Sequence, residues 1–362
     1  MKAGRTLTEL AIELDRQMKV KKDYLVDTRN MIMDADAGKA MLSIRNDTTG
    51  ETLVLNINEV AHNQIGTNLG IPAKYYDKMR AENPELLAAN VNSWFNKNPK
   101  TRMVRTLDGT TRAFLSDRYR RIDNFEIAQT VLPIIADMKD ARIESCEVTD
   151  ERMYLKVVNP RLTTEVTPGD IVQSGILITN SEVGLGSVTV QPLIYRLVCS
   201  NGMVVNDARM RKYHTGRGNE SAEDFTIYSD ATLQADDKAL QLKIQDITRA
   251  VVDETKFERV VNMMRQAKEA KITTTNIPGM VVELGSSEFG YTKQEGQGIL
   301  DYLIRGGDLS LYGFANATTR YAQDVQSYDR STALESVGYS ILGMSPRTWG
   351  KLQTASMGDM VA

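Results

Sequence analysis

Residues Gly175–Arg217, GILITNSEVGLGSVTVQPLIYRLVCSNGMVVNDARMRKYHTGR, decide the fold. β-branched residues alternate with polar ones through the first thirty positions, the period of a half-buried strand, so two or three strands are expected between Gly175 and Val205. Gly184 and Gly186 fall between them and mark a tight turn, with Asn180, Ser181 and Glu182 expected to bond the local backbone. Upstream, ARIESCEVTD (141–150) and RMYLKVVNP (152–160) carry the same alternation. Strands that follow one another at such short intervals pair as an antiparallel meander, and helical patterns flank them on both sides. The expected fold class is therefore α+β.

Working outward, a long amphipathic helix is expected from Asp230 to Lys271, with Leu233, Leu240, Ile244, Ile247 and Val251 on its apolar stripe and a break near Asp253. GQGILDYLIRGG (296–307) and LYGFANATTRYAQDV (311–325) then read as helices of a helical C-terminal region, and the tail from Gly343 as mobile. Toward the N-terminus, FEIAQTVLPIIADM (125–138) is a helix, preceded by two strand-like runs around Asp108-Gly109. Residues 73–99 form two short helices broken at Pro84, and KAMLSIRN with ETLVLNIN form a hairpin around Asp47–Gly50. A helix over 8–18 opens the chain, with Thr8 in or capping its first turn. The expected regions are 1–100 (helix and hairpin), 101–272 (central α+β core with the long helix) and 273–362 (helical).

A chain of 362 residues with 41% hydrophobic and 25% charged residues has enough apolar surface for one large or two modest cores. It contains no apolar run near the roughly 18–20 residues needed to cross a bilayer, and its first residues do not read as a secretory signal; a cytoplasmic protein without membrane contact is expected. Cys146 and Cys199 give neither a disulfide framework nor zinc-ligand spacing and read as buried thiols in strands. With only His62 and His214, sites built from two or three histidines are excluded. MDADAGK (33–39) lacks the carboxylates of a calcium loop and reads as a turn. The glycines of SEVGLGSVT do not fit a dinucleotide fingerprint, because a strand and not a helix follows them. Ser116 with Asp117, or Ser200 near His214, have no orienting third group. No catalytic residue, metal or cofactor is expected.

Charge is the remaining signal. From Arg196 to Arg217 five basic residues, Arg196, Arg209, Arg211, Lys212 and Arg217, face the single acid Asp207, a local +4 in a chain of net charge -3. From Lys100 to Ile122 seven basic residues face Asp108 and Asp117, a local +5. Guanidinium groups pair with phosphate oxygens and neighbouring rings stack on unpaired bases, so these blocks suit a single-stranded nucleic acid. The candidate contacts are Arg105, Arg112, Arg118, Tyr119, Arg120, Arg121, Arg196, Arg209, Arg211, Lys212, Tyr213, His214 and Arg217. The alternative is that the arginines are solvated or paired with acids of the same protein.

Three blocks, FLSDRYRRIDN (114–124), NSEVGLGSVTVQPLIYRLVCSNG (180–202) and LYGFANATTRYAQDV (311–325), resemble the signature blocks of the phage/plasmid-like protein family, which carries the domain of unknown function numbered nine hundred and thirty-two. A weaker match, LGIPAKYYDKM (69–79), fits its N-terminal block. The resemblance implies a protein of bacteriophages, plasmids or integrated elements and no established activity. At the level of fold outline, a strand meander followed by a long helix is similar to single-strand annealing recombinases of the RecT and Erf kind, which would use Arg118, Arg120, Arg121 and the 209–217 loop. The leading expectation is a homo-oligomeric protein that binds single-stranded DNA in replication or recombination. The alternatives are a structural or regulatory interaction protein that docks through the 230–271 helix, and a magnesium-dependent nucleic-acid enzyme.

Overall fold

Thr8 lies inside the first turn of the first helix, α1 (Leu7–Val20), and Thr6 caps it: the Thr6 hydroxyl accepts the Glu9 N–H while the Glu9 carboxylate accepts the Thr6 N–H, a complete capping box. Placed so, the helix turns Leu10 and Leu14 inward. The computed structural model describes residues 1–36, 38–45, 50–119, 121–205, 230–250 and 254–358. Its class is α+β, with two sheets where a single meander was expected.

The first sheet has the order β1-β5-β6-β4-β3-β2, from β1 (Lys22–Asp27), β2 (Met31–Asp36), β3 (Lys39–Arg45), β4 (Thr52–Ile57), β5 (Thr101–Leu107) and β6 (Thr110–Ser116). The β3–β4 hairpin is present, with Arg45 opposite Thr52; residues 46–49 of its turn lie outside the described residues. β4 meets β6 in parallel over Asn56↔Thr110 and Ile57↔Thr111, and β1 pairs antiparallel with β5 along its whole length. The sheet thus draws strands from both sides of residue 100, where a region boundary was expected. Helices α2 (Glu59–Leu69), α3 (Ala73–Glu82) and α4 (Pro84–Lys97) cover one face. Pro84 occupies the first turn of α4, where its missing N–H costs nothing, and the Asn83 side chain caps that helix.

The second sheet is the expected meander, β7 (Arg142–Val148), β8 (Met153–Glu165), β9 (Ile171–Asn180), β10 (Thr189–Arg196) and β11 (Asn201–Val204), all antiparallel. It is buried on both faces over residues 153–159 of β8 and 172–180 of β9, polar side chains included, while the second half of β8 alternates between part-buried and exposed positions. Leu155, Val157, Ile176 and Ile178 pack with α1, α5 (Asn124–Asp137) and α6 (Asp230–Ala250). On the other face Tyr154, Leu177 and Leu193 meet Tyr328 of α11 (Tyr328–Leu342). Gly184, at φ 77°, makes the expected turn between β9 and β10.

The expected long helix is two helices, α6 and α7 (Glu254–Glu269), with 251–253 outside the described residues. After a π-helical turn at Gly279–Leu284 come α8 (Gly285–Phe289), α9 (Lys293–Gly306), α10 (Leu311–Tyr321), α11 and α12 (Pro346–Gly358). With α7 they form the largest core, to which Val172, Ile194 and Met203 contribute from the second sheet. Of the tail expected to be mobile, Pro346–Gly358 forms α12, with Leu352 buried and Trp349 packed against that core, and residues 359–362 lie outside the described residues. Among the described residues no helix is long and apolar enough to cross a membrane.

Candidate nucleic-acid interface

The arginines of the first basic block turn inward. Between β5 and β6 the register shifts after Arg105, which leaves Arg112 as the extra residue of a β-bulge. A bulge re-aims side chains, and here it sends both guanidinium groups to one interior cluster. Arg105 is 0% exposed: Nε donates to Asp23 at 2.8 Å, Nη2 to Asp123 at 2.9 Å, and Nη1 to the Glu182 carbonyl at 2.8 Å. Arg112 Nη2 donates to Glu182 Oε2. Lys21 Nζ lies 2.7 Å from Asp123 and 3.5 Å from Glu182, and Arg121 Nη1 lies 3.4 Å from Asp23. Four cations thus meet three carboxylates, so the cluster has little net field with which to recruit a phosphate. Burial works to raise the Asp123 carboxyl, but the bonds from Lys21 and Arg105 outweigh it and hold it below the usual carboxylate range.

Two of the signature blocks interlock at this cluster. Asn180 Nδ2 donates to the Ile122 carbonyl at 3.0 Å and to Asn124 Oδ1 at 2.8 Å; Tyr119 donates its hydroxyl to the Ser181 carbonyl at 3.2 Å. Of the trio expected to bond the local backbone, Ser181 does so, accepting from the Leu185 N–H, while Asn180 and Glu182 reach across to the start of α5. The far end of the middle block meets the third. Arg196 Nε donates to Asp170 at 2.5 Å, Tyr312 donates to the same carboxylate at 2.8 Å, and Gln323 donates to the Cys199 carbonyl at 3.0 Å.

The expected track is corrected accordingly. Arg105, Arg112 and Arg196 are held by internal carboxylates, and half-buried Tyr119 is tied down through its hydroxyl. Arg118 and Arg121 are exposed on the segment after β6. Arg120, Arg209, Arg211, Lys212, Tyr213, His214 and Arg217 lie outside the described residues.

A different cationic surface lies at the end of the first sheet where β5 begins. A cleft of about 380 Å³ is lined by Asn68, Trp94, Asn98, Lys100 and Arg102, with buried Phe114 as part of its wall. Lys97 Nζ sits 5.1 Å from the centre of the Trp94 ring, and the Arg102 guanidinium 5.9 Å from that of Phe114. Among the described residues no carboxylate comes within ion-pair distance of Lys97, Lys100 or Arg102. Lys100 and Arg102 belong to the basic run counted in the sequence, but Trp94 and Lys97, one helical turn apart on α4, were not singled out. Their signal was an i,i+3 aromatic and lysine pair at a helix end, half-buried Trp94 and exposed Lys97, which only the fold places beside β5.

A family model described as Domain of unknown function (DUF932) matches residues 113–336, a segment that contains all three signature blocks. No curated protein and no solved structure matches the chain.

Proposed function

The chain belongs to the DUF932 family, and from that premise we propose that it is a mobile-element protein that binds single-stranded nucleic acid in the cleft between α4 and β5. In this reading it acts as a homo-oligomer in phage or plasmid replication or recombination, with strand annealing as one form of that activity. The observation that carries the reading is a cleft lined by Trp94 together with Lys100 and Arg102, with Lys97 over the Trp94 ring and none of the three cations in an ion pair among the described residues. A base entering the cleft displaces Lys97 from the face of Trp94 and stacks there, which frees the ammonium for the adjoining phosphate.

Fluorescence anisotropy with a labelled oligothymidylate at low salt tests the proposal. Trp94→Ala should weaken binding about tenfold, in line with the ~1–3 kcal/mol that one base–aromatic stack contributes. Lys97→Ala with Lys100→Ala should weaken it further. No binding by the unaltered protein, or binding indifferent to these changes, overturns it.

One observation favours a second reading, a structural or regulatory interaction protein without nucleic-acid contact: the motif arginines Arg105, Arg112 and Arg196 are committed to internal carboxylates. Assembly in light scattering that is unchanged by oligonucleotide supports that alternative.

A further inference from the structure

We infer that a second pocket, where the middle and third signature blocks meet, binds a small phosphate monoester with a flat or apolar body, of the size of a nucleoside monophosphate. The pocket has a volume of about 280 Å³, at the small end of ligand-site sizes. Arg196 and Cys199 reach it from the end of the second sheet, Leu303 and Arg305 from α9, and Ala317 and Arg320 from α10.

The lining divides by chemistry. Leu303 and Ala317 are buried and give an apolar wall. The Arg320 guanidinium lies over the Tyr302 ring, 4.6 Å from its centre, and a planar guanidinium is a surface on which a flat group packs. Arg320 commits only Nη1, to Asp324 at 3.2 Å, and Arg305 pairs with Asp301 at 2.7 Å; both pairs are solvent-exposed and one helical turn apart. Such surface pairs contribute little, so a dianionic phosphate with three acceptor oxygens competes for both forks. Arg196, held by Asp170, supplies a fixed third guanidinium at the inner end, and Asp308, the one carboxylate in the lining, lies 3.7 Å from Lys268. The charges around the pocket are therefore near balance. Affinity is expected to be modest and to require the phosphate and the flat body together.

The pocket carries its own reporter. Cys199 lines it and is half-buried, with Arg196 Nη1 3.3 Å from its sulfur, whereas Cys146 is fully buried and burial pushes its thiol up to about 11. Modification by a disulfide reagent near neutral pH therefore follows Cys199.

The test measures that rate on the full chain with adenosine monophosphate, inorganic phosphate, adenosine and a 5′-phosphorylated dinucleotide as probes. Adenosine monophosphate should slow modification several-fold and saturate. Adenosine and inorganic phosphate should protect weakly at equal concentration, and the dinucleotide should protect only if the pocket accepts a strand end. Arg320→Gln should raise the half-protecting concentration of adenosine monophosphate by about tenfold, the effect of losing one charged bond of ~1.5 kcal/mol. The more exposed Arg305→Gln provides the same comparison if the first variant does not fold. Absence of protection by every probe, or unchanged protection in a folded variant, overturns the inference. Trp94→Ala should leave protection intact, which keeps this pocket's failure distinct from that of the strand-binding cleft.

Discussion

Glu182 Oε1 accepts the Asn124 N–H at 2.6 Å, so the first turn of α5 is capped from the β9–β10 connection. Asp123 occupies the N-cap position but makes no cap bond, because its carboxylate is held by Lys21 and Arg105. One buried acid thus fixes a helix start, a bulged strand and a turn in a single arrangement.

Glu182→Gln is expected to destabilise the fold by about 3 kcal/mol, the loss typical of removing one partner from a buried ion pair. The amide oxygen can still accept from Asn124, but Arg112 loses its charge partner and Lys21 keeps only Asp123. Urea unfolding followed by far-ultraviolet circular dichroism measures it; a midpoint equal to that of the parent protein would show that the cluster is dispensable for stability.

Lys156 and Glu335 form an ion pair at 2.7 Å with both side chains 0% exposed, and Glu335 Oε1 has no hydrogen-bond partner among the described residues. Lys156→Met alone should cost about 3–5 kcal/mol, because it leaves a carboxylate buried without compensation, whereas Lys156→Met with Glu335→Leu should cost far less. A double-mutant cycle reads the coupling directly. Additive losses would mean that the pair is not coupled.

His62 is buried, its Nδ1 2.9 Å from the Tyr76 hydroxyl, and burial together with the nearby Arg80 lowers its pKa to about 4. The unfolded chain protonates this ring as pH falls through its ordinary value of 6.5, while the folded chain does not until about 4. Its contribution is therefore complete above pH 6.5, is lost on acidification, and levels off below about 4, amounting to roughly 3 kcal/mol. The stability difference between the parent and His62→Gln should shrink by most of that amount between pH 7.5 and 4.5, and a constant difference would refute the assignment.

If Lys97, Lys100 and Arg102 each neutralise one phosphate, the logarithm of affinity for a single strand should fall with the logarithm of salt at a slope of about −2. Lys100→Ala should reduce that slope by about 0.7. An unaltered slope in the variant removes Lys100 from the interface.

The meander, the hairpin, the helix break at Pro84 and the strands around Asp108-Gly109 were all legible, because each is encoded by local period and turn chemistry. β1, β2 and α2 were not. Lys22–Asp27 and Met31–Asp36 are short and carry charges within the strand, and α2 has only a thin apolar stripe of Val60, Ala61 and Ile65 between Asn58 and Gly70, the residues that cap it. The pairing of β1 with β5 and of β4 with β6 leaves no trace in either partner's periodicity. For the site, counting charge from Lys100 to Ile122 could not reveal that Asp23, Asp123 and Glu182, from three other parts of the chain, converge on Arg105 and Arg112. Cys199 was expected in a strand and lies instead on the turn between β10 and β11, beside a pocket that no linear pattern announces.

The antiparallel partnership of Lys22–Asp27 with Thr101–Leu107 has a consequence for synthesis. A nascent chain that has exposed only its first hundred residues still lacks the strand that receives β1, and a fragment cut at residue 113, where the family match begins, loses that strand, Lys21 and Arg112 together. Neither piece can be expected to stand alone: the N-terminal third is an integral wall of the protein, and it closes only after β5 and β6 have emerged.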